Sequence, residues 1–296
     1  MTISDIKISD IQVSKEEQQC APHLSFENGS CIPLEILVEL AEAYNKNNNN
    51  NHIKLDKSAL ITIPNKYKKY LVSQLKKRIK GNQTEWIKQN FTKNMDPEKK
   101  EQLKEHTFRP DGPQGQFEWL STLDINYTIQ QYQNKYDDFV FLGAVPIDFN
   151  DLDYYPFKKI NFNDFLKNNK SRLGVVFNLD RHDQGGSHWV SLFIDLKKAQ
   201  IYFSDSVGYP PGKEILDFMN RVKKFLQSRK MNVDMRVNET QHQKGNSECG
   251  VYSINWILRL LKGKSFDHLT KKRLDDKKIN TCRIKYFKNA HHSNNK

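Results

Sequence analysis

Between Arg172 and Asp205 the chain passes through three short apolar segments, "RLGVVFNL", "HWVSLFI" and "AQIYFSD", each bounded by polar or turn-forming residues. Their β-branched and aromatic content suits strands. A link as short as "DLKKAQ" leaves room for a hairpin and none for a crossover helix, so successive segments should pair antiparallel. A fourth apolar run, "FVFLGAVPI", precedes them. Helical periodicity flanks the set: Leu120, Leu123, Ile125 and Ile129 on one side, and Ile215, Leu216, Met219, Val222, Phe225 and Leu226 after the turn "PPG" on the other. "NVDMRV" then alternates at period two, as an edge or half-buried strand does. The expected class is α+β, an antiparallel sheet flanked by helices.

Upstream, "FRPDGPQGQ" at Phe108–Gln116 cannot continue a helix or a strand, and the patterning before it is helical. Pro33 suits the first turn of a helix through Tyr44. Asn65 can cap one with Tyr67, Tyr70, Leu71, Leu75 and Ile79 on its apolar side. Thr84 can open a short one carrying Trp86, Ile87 and Phe91, and Asp96-Pro97 starts another. Two parts follow: a helical accessory region over 1–115 and a mixed domain over 116–296.

The 296 residues carry a net charge of +12, unevenly spread: residues 54–104 hold 14 Lys and Arg against 5 Asp and Glu, and residues 262–288 hold 10 against 3. These two regions suit a polyanion, DNA above all, or solvated faces in a lysine-rich chain. The cysteines Cys20, Cys31, Cys249 and Cys282 form no CxxC pair and no dense framework, which argues against zinc knuckles and disulfide scaffolds and for a reducing compartment. The polar, acidic start "MTISDIKISDIQVSKEEQQ" is no standard secretion signal, and no apolar window is long enough to span a membrane.

Chemistry concentrates near the end of the chain. In "QHQKGNSECGVYSINWILRLL" the apolar residues Val251, Ile254, Ile257, Leu258 and Leu261 recur at helical spacing, which puts Cys249 at the helix N-terminus. Unpaired amides and the helix dipole there favour thiolate over thiol, and the same amides can donate to an oxyanion. A base is available: His188 stands where the loop "RHDQGGS" becomes a strand, and Asp205 ends the next strand. Antiparallel pairing makes the two neighbours. A carboxylate beside an imidazole fixes its tautomer and stabilises the imidazolium, which can hold a thiolate as an ion pair.

"SHWVSLFID", "YFSDS" and "QKGNSECGVYSINW" resemble the His-Trp, Asp-Ser and Gln-to-Cys-Gly motifs of the adenovirus protease and SUMO-specific protease group of cysteine proteases, and are most similar to the proteases encoded by large DNA viruses. The motif order is permuted relative to papain-like enzymes that place the Cys first. The resemblance spans roughly Gln116 to Leu261 and implies a papain-like core with Cys249 as nucleophile, His188 as base, Asp205 as its orienter and Gln243 as the oxyanion-hole glutamine. Gln241 competes for that last role, and the six-residue spacing to Cys249 favours Gln243. "FEWLSTLDIN" is similar to the family's Trp-Leu motif, so Trp119 and Trp189 are expected to wall a narrow channel for a Gly-Gly end. The implied function is an endopeptidase cutting viral structural polyproteins after glycine-containing sites during particle maturation, in the host cytoplasm at viral factories and in the virion, with no cofactor and no metal. The alternatives are an isopeptidase acting on ubiquitin or a ubiquitin-like protein, and a non-catalytic basic nucleic-acid-binding structural protein.

Overall fold

A computed structural model describes residues 19–115 and 117–290. Residues 1–18, which hold nearly all of the acidic N-terminal stretch read above, and the boundary residue Gln116 lie outside the described residues. The chain forms two compact units that divide between Arg109 and Pro110.

The first unit is helical. Helix α1 (Leu34–Asn47) starts after Pro33 and buries Ile36, Leu37 and Leu40. A short α2 (Ala59–Thr62) leads into α3 (Pro64–Arg78), which begins at Pro64, its φ already preset for a helix, and not at an Asn65 cap. Tyr67, Leu71 and Leu75 of α3 share one core with α1 and with the fully buried Trp86. Trp86 and Phe91 sit in two 3₁₀ turns, Gln83–Lys88 and Asn90–Asn94, where a short helix was expected. Asp96 caps α4 (Pro97–Glu101) by accepting from the Glu98 and Lys99 amides. Lys66, Lys69, Lys76 and Lys77 of α3 are exposed.

Cys20 and Cys31 form a disulfide, although the spacing of the four cysteines argued against a disulfide scaffold. The reason is local. Asn28 and Gly29 take positive φ in a turn closed between Glu27 and Ser30, and this folds Cys31 back toward Cys20 in a way no spacing rule anticipates.

The second unit carries a five-stranded sheet in the order β1-β2-β3-β4-β5: β1 (Phe139–Pro146), β2 (Arg172–Asn178), β3 (Trp189–Asp195), β4 (Gln200–Ser204) and β5 (Asp234–Asn238). The β2-β3-β4 pairs are antiparallel as expected, whereas β1-β2 and β4-β5 are parallel, so the sheet is mixed. The links decide this. Residues 147–171, which include α6 (Phe162–Lys167), join β1 to β2, and residues 205–233, which include α7 (Lys213–Ser228), join β4 to β5; each link is long enough to return the chain to the same end of the sheet.

Alternating side chains of β2 and β3 separate two cores. Leu173, Val175, Val190 and Leu192 pack with Ile215, Phe218, Met219 and Val222 of α7. Val176, Trp189 and Phe193 pack on the opposite face with α5 (Thr122–Gln130) and α8 (Cys249–Leu261). Helix α5 opens on a capping box between Ser121 and Asp124. That register leaves Leu123 59% exposed, against its expected place on the buried side. The chain then runs through α9 (Phe266–Thr270), α10 (Asp276–Asn280) and α11 (Arg283–Tyr286). Some of the basic charge of 262–288 serves this unit internally: Arg273 donates to the His242 carbonyl and Lys288 pairs with Asp111. No described helix is long and apolar enough to cross a membrane.

Reducing the disulfide, or replacing both residues as Cys20→Ala/Cys31→Ala, should lower the thermal midpoint. A bridge closing so short a loop is worth about 3 kcal/mol through the unfolded chain. Unfolding curves with and without reductant check this, and identical midpoints would remove the bridge's stabilising role.

Candidate active site

Cys249 is the first residue of α8 and is 2% exposed. The helix starts there because a polar loop gives way to the apolar face that packs on β3. Gly250 allows a close approach: a Cβ on it would lie 3.0 Å from the Leu120 Cβ, so Leu120 would have to give by a few tenths of an ångström. Leu120 in turn uses its carbonyl to accept from the Trp189 indole at 2.9 Å. One residue thus ties the start of α8 to the start of β3.

His188 precedes β3 and Asp205 follows β4, and the antiparallel register brings them together: His188 Nε2 lies 2.7 Å from Asp205 Oδ1. Asp205 is buried and its Oδ1 also accepts from the Val207 amide. The imidazole hydrogen-bonds on to Cys249. Burial opposes charge on His188, but the hydrogen bonds to Asp205 and Cys249 and the negative charge of both outweigh it, and its pKa is pushed up to about 9. A protonated imidazole between a carboxylate and a sulfur is an arrangement that can carry nucleophilic attack and then protonate a leaving group.

Gln243 is 4% exposed, whereas Gln241 is exposed and donates its amide to the Gln243 carbonyl. The Gln243 amide is oriented at both ends: Oε1 accepts from Ser206 Oγ at 2.7 Å, and Nε2 donates to the Gly245 carbonyl at 2.9 Å. Ser206 is the serine of the Asp-Ser motif, and its part in orienting Gln243 was not among the expected roles.

The loop from Gln243 to Cys249 is held by residues that sequence reasoning left out. Asp276 Oδ2 accepts from the Lys244 and Gly245 amides, and Tyr252 donates its hydroxyl to Asp276 and to the Leu274 carbonyl. Arg283 donates to the Glu118 and Ser247 carbonyls, and Asn280 donates to Glu248. These contacts span tens of residues, so no local pattern marks them.

Trp119 and Trp189 line one cleft of about 480 Å³ together with Tyr154, Asn178, Arg181 and His182. Trp119 is 49% exposed, whereas Trp189 is buried in the core with only part of its surface on the cleft. Within the cleft wall His182 Nδ1 lies 2.6 Å from the buried Asp148. Burial pushes the Asp148 carboxyl up, and the hydrogen bonds from His182 more than offset it, holding it below its ordinary range. Among the described residues no group of His, Cys, Asp and Glu is arranged to hold a metal ion.

Comparison with known proteins places the chain in a family. The description "Ulp1 protease family, C-terminal catalytic domain" matches residues 163–295. The chain is 38% identical over 277 residues to the protein named thiol protease R355 of Acanthamoeba polyphaga mimivirus, covering 89% of this chain and 90% of that one. It is 27% identical over 203 residues to the cysteine protease S273R of African swine fever virus, covering 63% and 74%. The crystal structure of that virus's pS273R protease superposes with a TM-score of 0.64 at 23% identity, over 95% of this chain and 98% of that one, so the fold is shared.

Replacing Gly250→Ala should force Leu120 outward and with it the carbonyl that receives Trp189. Overpacking of this kind costs about 1–3 kcal/mol, and a lowered thermal midpoint with weakened near-UV tryptophan signal is the expected result. An unchanged midpoint would show that Leu120 yields without consequence.

Proposed function

The chain belongs to the Ulp1 protease family and is a viral cysteine protease, and from that premise we propose that it is an endopeptidase that cuts structural polyproteins after glycine-containing sites during particle maturation, in the host cytoplasm and within the virion. The observation that carries the reading is the linked set Cys249, His188 and Asp205 beside a cleft bounded by Trp119 and Trp189. Cys249 attacks the scissile carbonyl carbon, its sulfur forming the acyl bond while His188 passes a proton to the departing amine. Water then cleaves the thioester with His188 as base. Asp205 orients His188 and stabilises its charge. The Cys249 amide and the Gln243 side-chain amide receive the oxyanion, and the Ser206 hydroxyl keeps the Gln243 nitrogen from being exchanged for its oxygen. Glycine next to the cut is the preference the two tryptophans on this cleft are proposed to set, Trp119 through its exposed ring and Trp189 through the part of its surface that reaches the cleft.

The deciding experiment offers the purified protein viral core polyproteins alongside ubiquitin and SUMO conjugates, with new termini mapped and Cys249→Ala as control. Cuts after glycine in the polyproteins, absent from the variant, support the reading. Release of the ubiquitin-like proteins alone would favour the isopeptidase alternative, the sense of the name SUMO-1 cysteine protease given to S273R in some isolates.

The pH dependence follows from His188. Its pKa stands above the ordinary 6.5, so the charged form, and any stability it lends, is fully present below that value and is lost as the pH rises through about 9. kcat/KM should therefore fall along an alkaline limb with a midpoint near 9. Asp205→Asn, which keeps an orienting oxygen but removes the negative charge, should lower activity and move that limb to lower pH. A limb that stays in place in the variant would show that Asp205 does not set the charge on His188.

A further inference from the structure

A second cleft lies on the far side of His188. The side chains around the start of β3 alternate, so Trp189 faces the cleft described above while His188 and Val190 line a separate groove of about 460 Å³. Its remaining wall is largely apolar: Ile147, Leu179, Val207, Tyr209 and Pro210, with Asp205 at its base. The wall is built, not incidental. Leu179 is held by its amide donating to the His188 carbonyl, and Val207 by its amide donating to the same Asp205 oxygen that meets His188. Gly208 turns the chain there at φ +91, where a Cβ would lie 2.9 Å from the Glu239 carbonyl oxygen. Leu179 and Tyr209 are 38% and 67% exposed, which leaves apolar surface open to solvent.

Taking the acyl-transfer reading above as its basis, we propose that this groove receives the leaving side of the substrate and selects a large apolar residue at one of the first two positions after the cut. The occupant follows from the chemistry. The amine that departs takes its proton from His188, so the chain attached to that amine must lie against His188. The upstream half lies on the Trp189 side, and the groove that shares the His188 imidazole is the surface the other half meets. Its wall offers little to an acidic side chain: Glu214 at the exposed rim repels a carboxylate, and Asp205 at the base is already paired.

The test uses peptides with one upstream sequence ending in Gly-Gly and with leucine, alanine or aspartate at each of the two positions after the cut. A methyl ester of the same upstream sequence, whose leaving group is methanol, is run in parallel. Leucine at one of the two positions should be preferred over aspartate by roughly tenfold or more in kcat/KM. Leu179→Lys should reverse the ranking of leucine and aspartate at that position. Tyr209→Ser, at a more exposed residue, should narrow the leucine preference and serves if the first variant does not fold. Ester turnover with equal rates for all three residues at both positions would overturn the proposal and leave the protease reading standing. No turnover of ester or peptides would instead count against the upstream specificity on which it rests.

Discussion

A charge on a largely buried imidazole is the constraint on which this structure turns. His188 is placed where burial alone would strip its proton. It keeps that proton because a buried carboxylate lies on one side and a cysteine sulfur on the other. Each partner comes from a different element, so strand β3, strand β4 and helix α8 must all be in register for the charge to persist. The sheet order and the packing of α8 on β3 are in this sense conditions on the electrostatics.

The second condition is a rigid path into α8. The loop before Cys249 has no regular structure of its own, and its amides need partners. Asp276 accepts from two of them, and Asn280 and Arg283 add donors to the Glu248 carboxylate and the Ser247 carbonyl, all from the two short helices α10 and α11. This explains why the last part of the chain, which holds no chemical motif, belongs to the site. It also changes the meaning of the basic charge there. Arg283 and Arg273 are hydrogen-bonded to main-chain carbonyls inside the second unit, so a count of positive residues overstates what this region offers to a polyanion.

His188 also separates two surfaces of different character. One is aromatic and polar, with Trp119, Tyr154 and the Asp148–His182 pair; the other is largely apolar, with Ile147, Leu179, Val207 and Tyr209. Under the proposed function, a substrate that crosses the end of β3 meets both. Strand alternation alone places neighbouring residues 188 and 189 on opposite sides, so the two surfaces can differ in character although residues one position apart line them.

Much of this was legible in the chain itself. The helix that begins at Cys249, the strands that carry His188 and Asp205, and their pairing through a short turn follow from periodicity and link length, because both are local quantities. What the chain did not disclose is non-local. The parallel pairing of β1 with β2 and of β4 with β5 depends on how α6 and α7 return across the sheet, and the Cys20–Cys31 bridge depends on a positive-φ turn at Asn28 and Gly29. Leu123 reads as apolar helix face and lies in solvent, because the capping box at Ser121 sets where α5 begins and so which residues face inward. The sequence by itself determined which residues are chemically able to act and which local element carries each. Only the tertiary structure decided how they are held: Ser206 on Gln243, Leu120 against Gly250, Asp276 under the loop. Those partners are distant in the chain, and their contact energies exist only once the elements have packed.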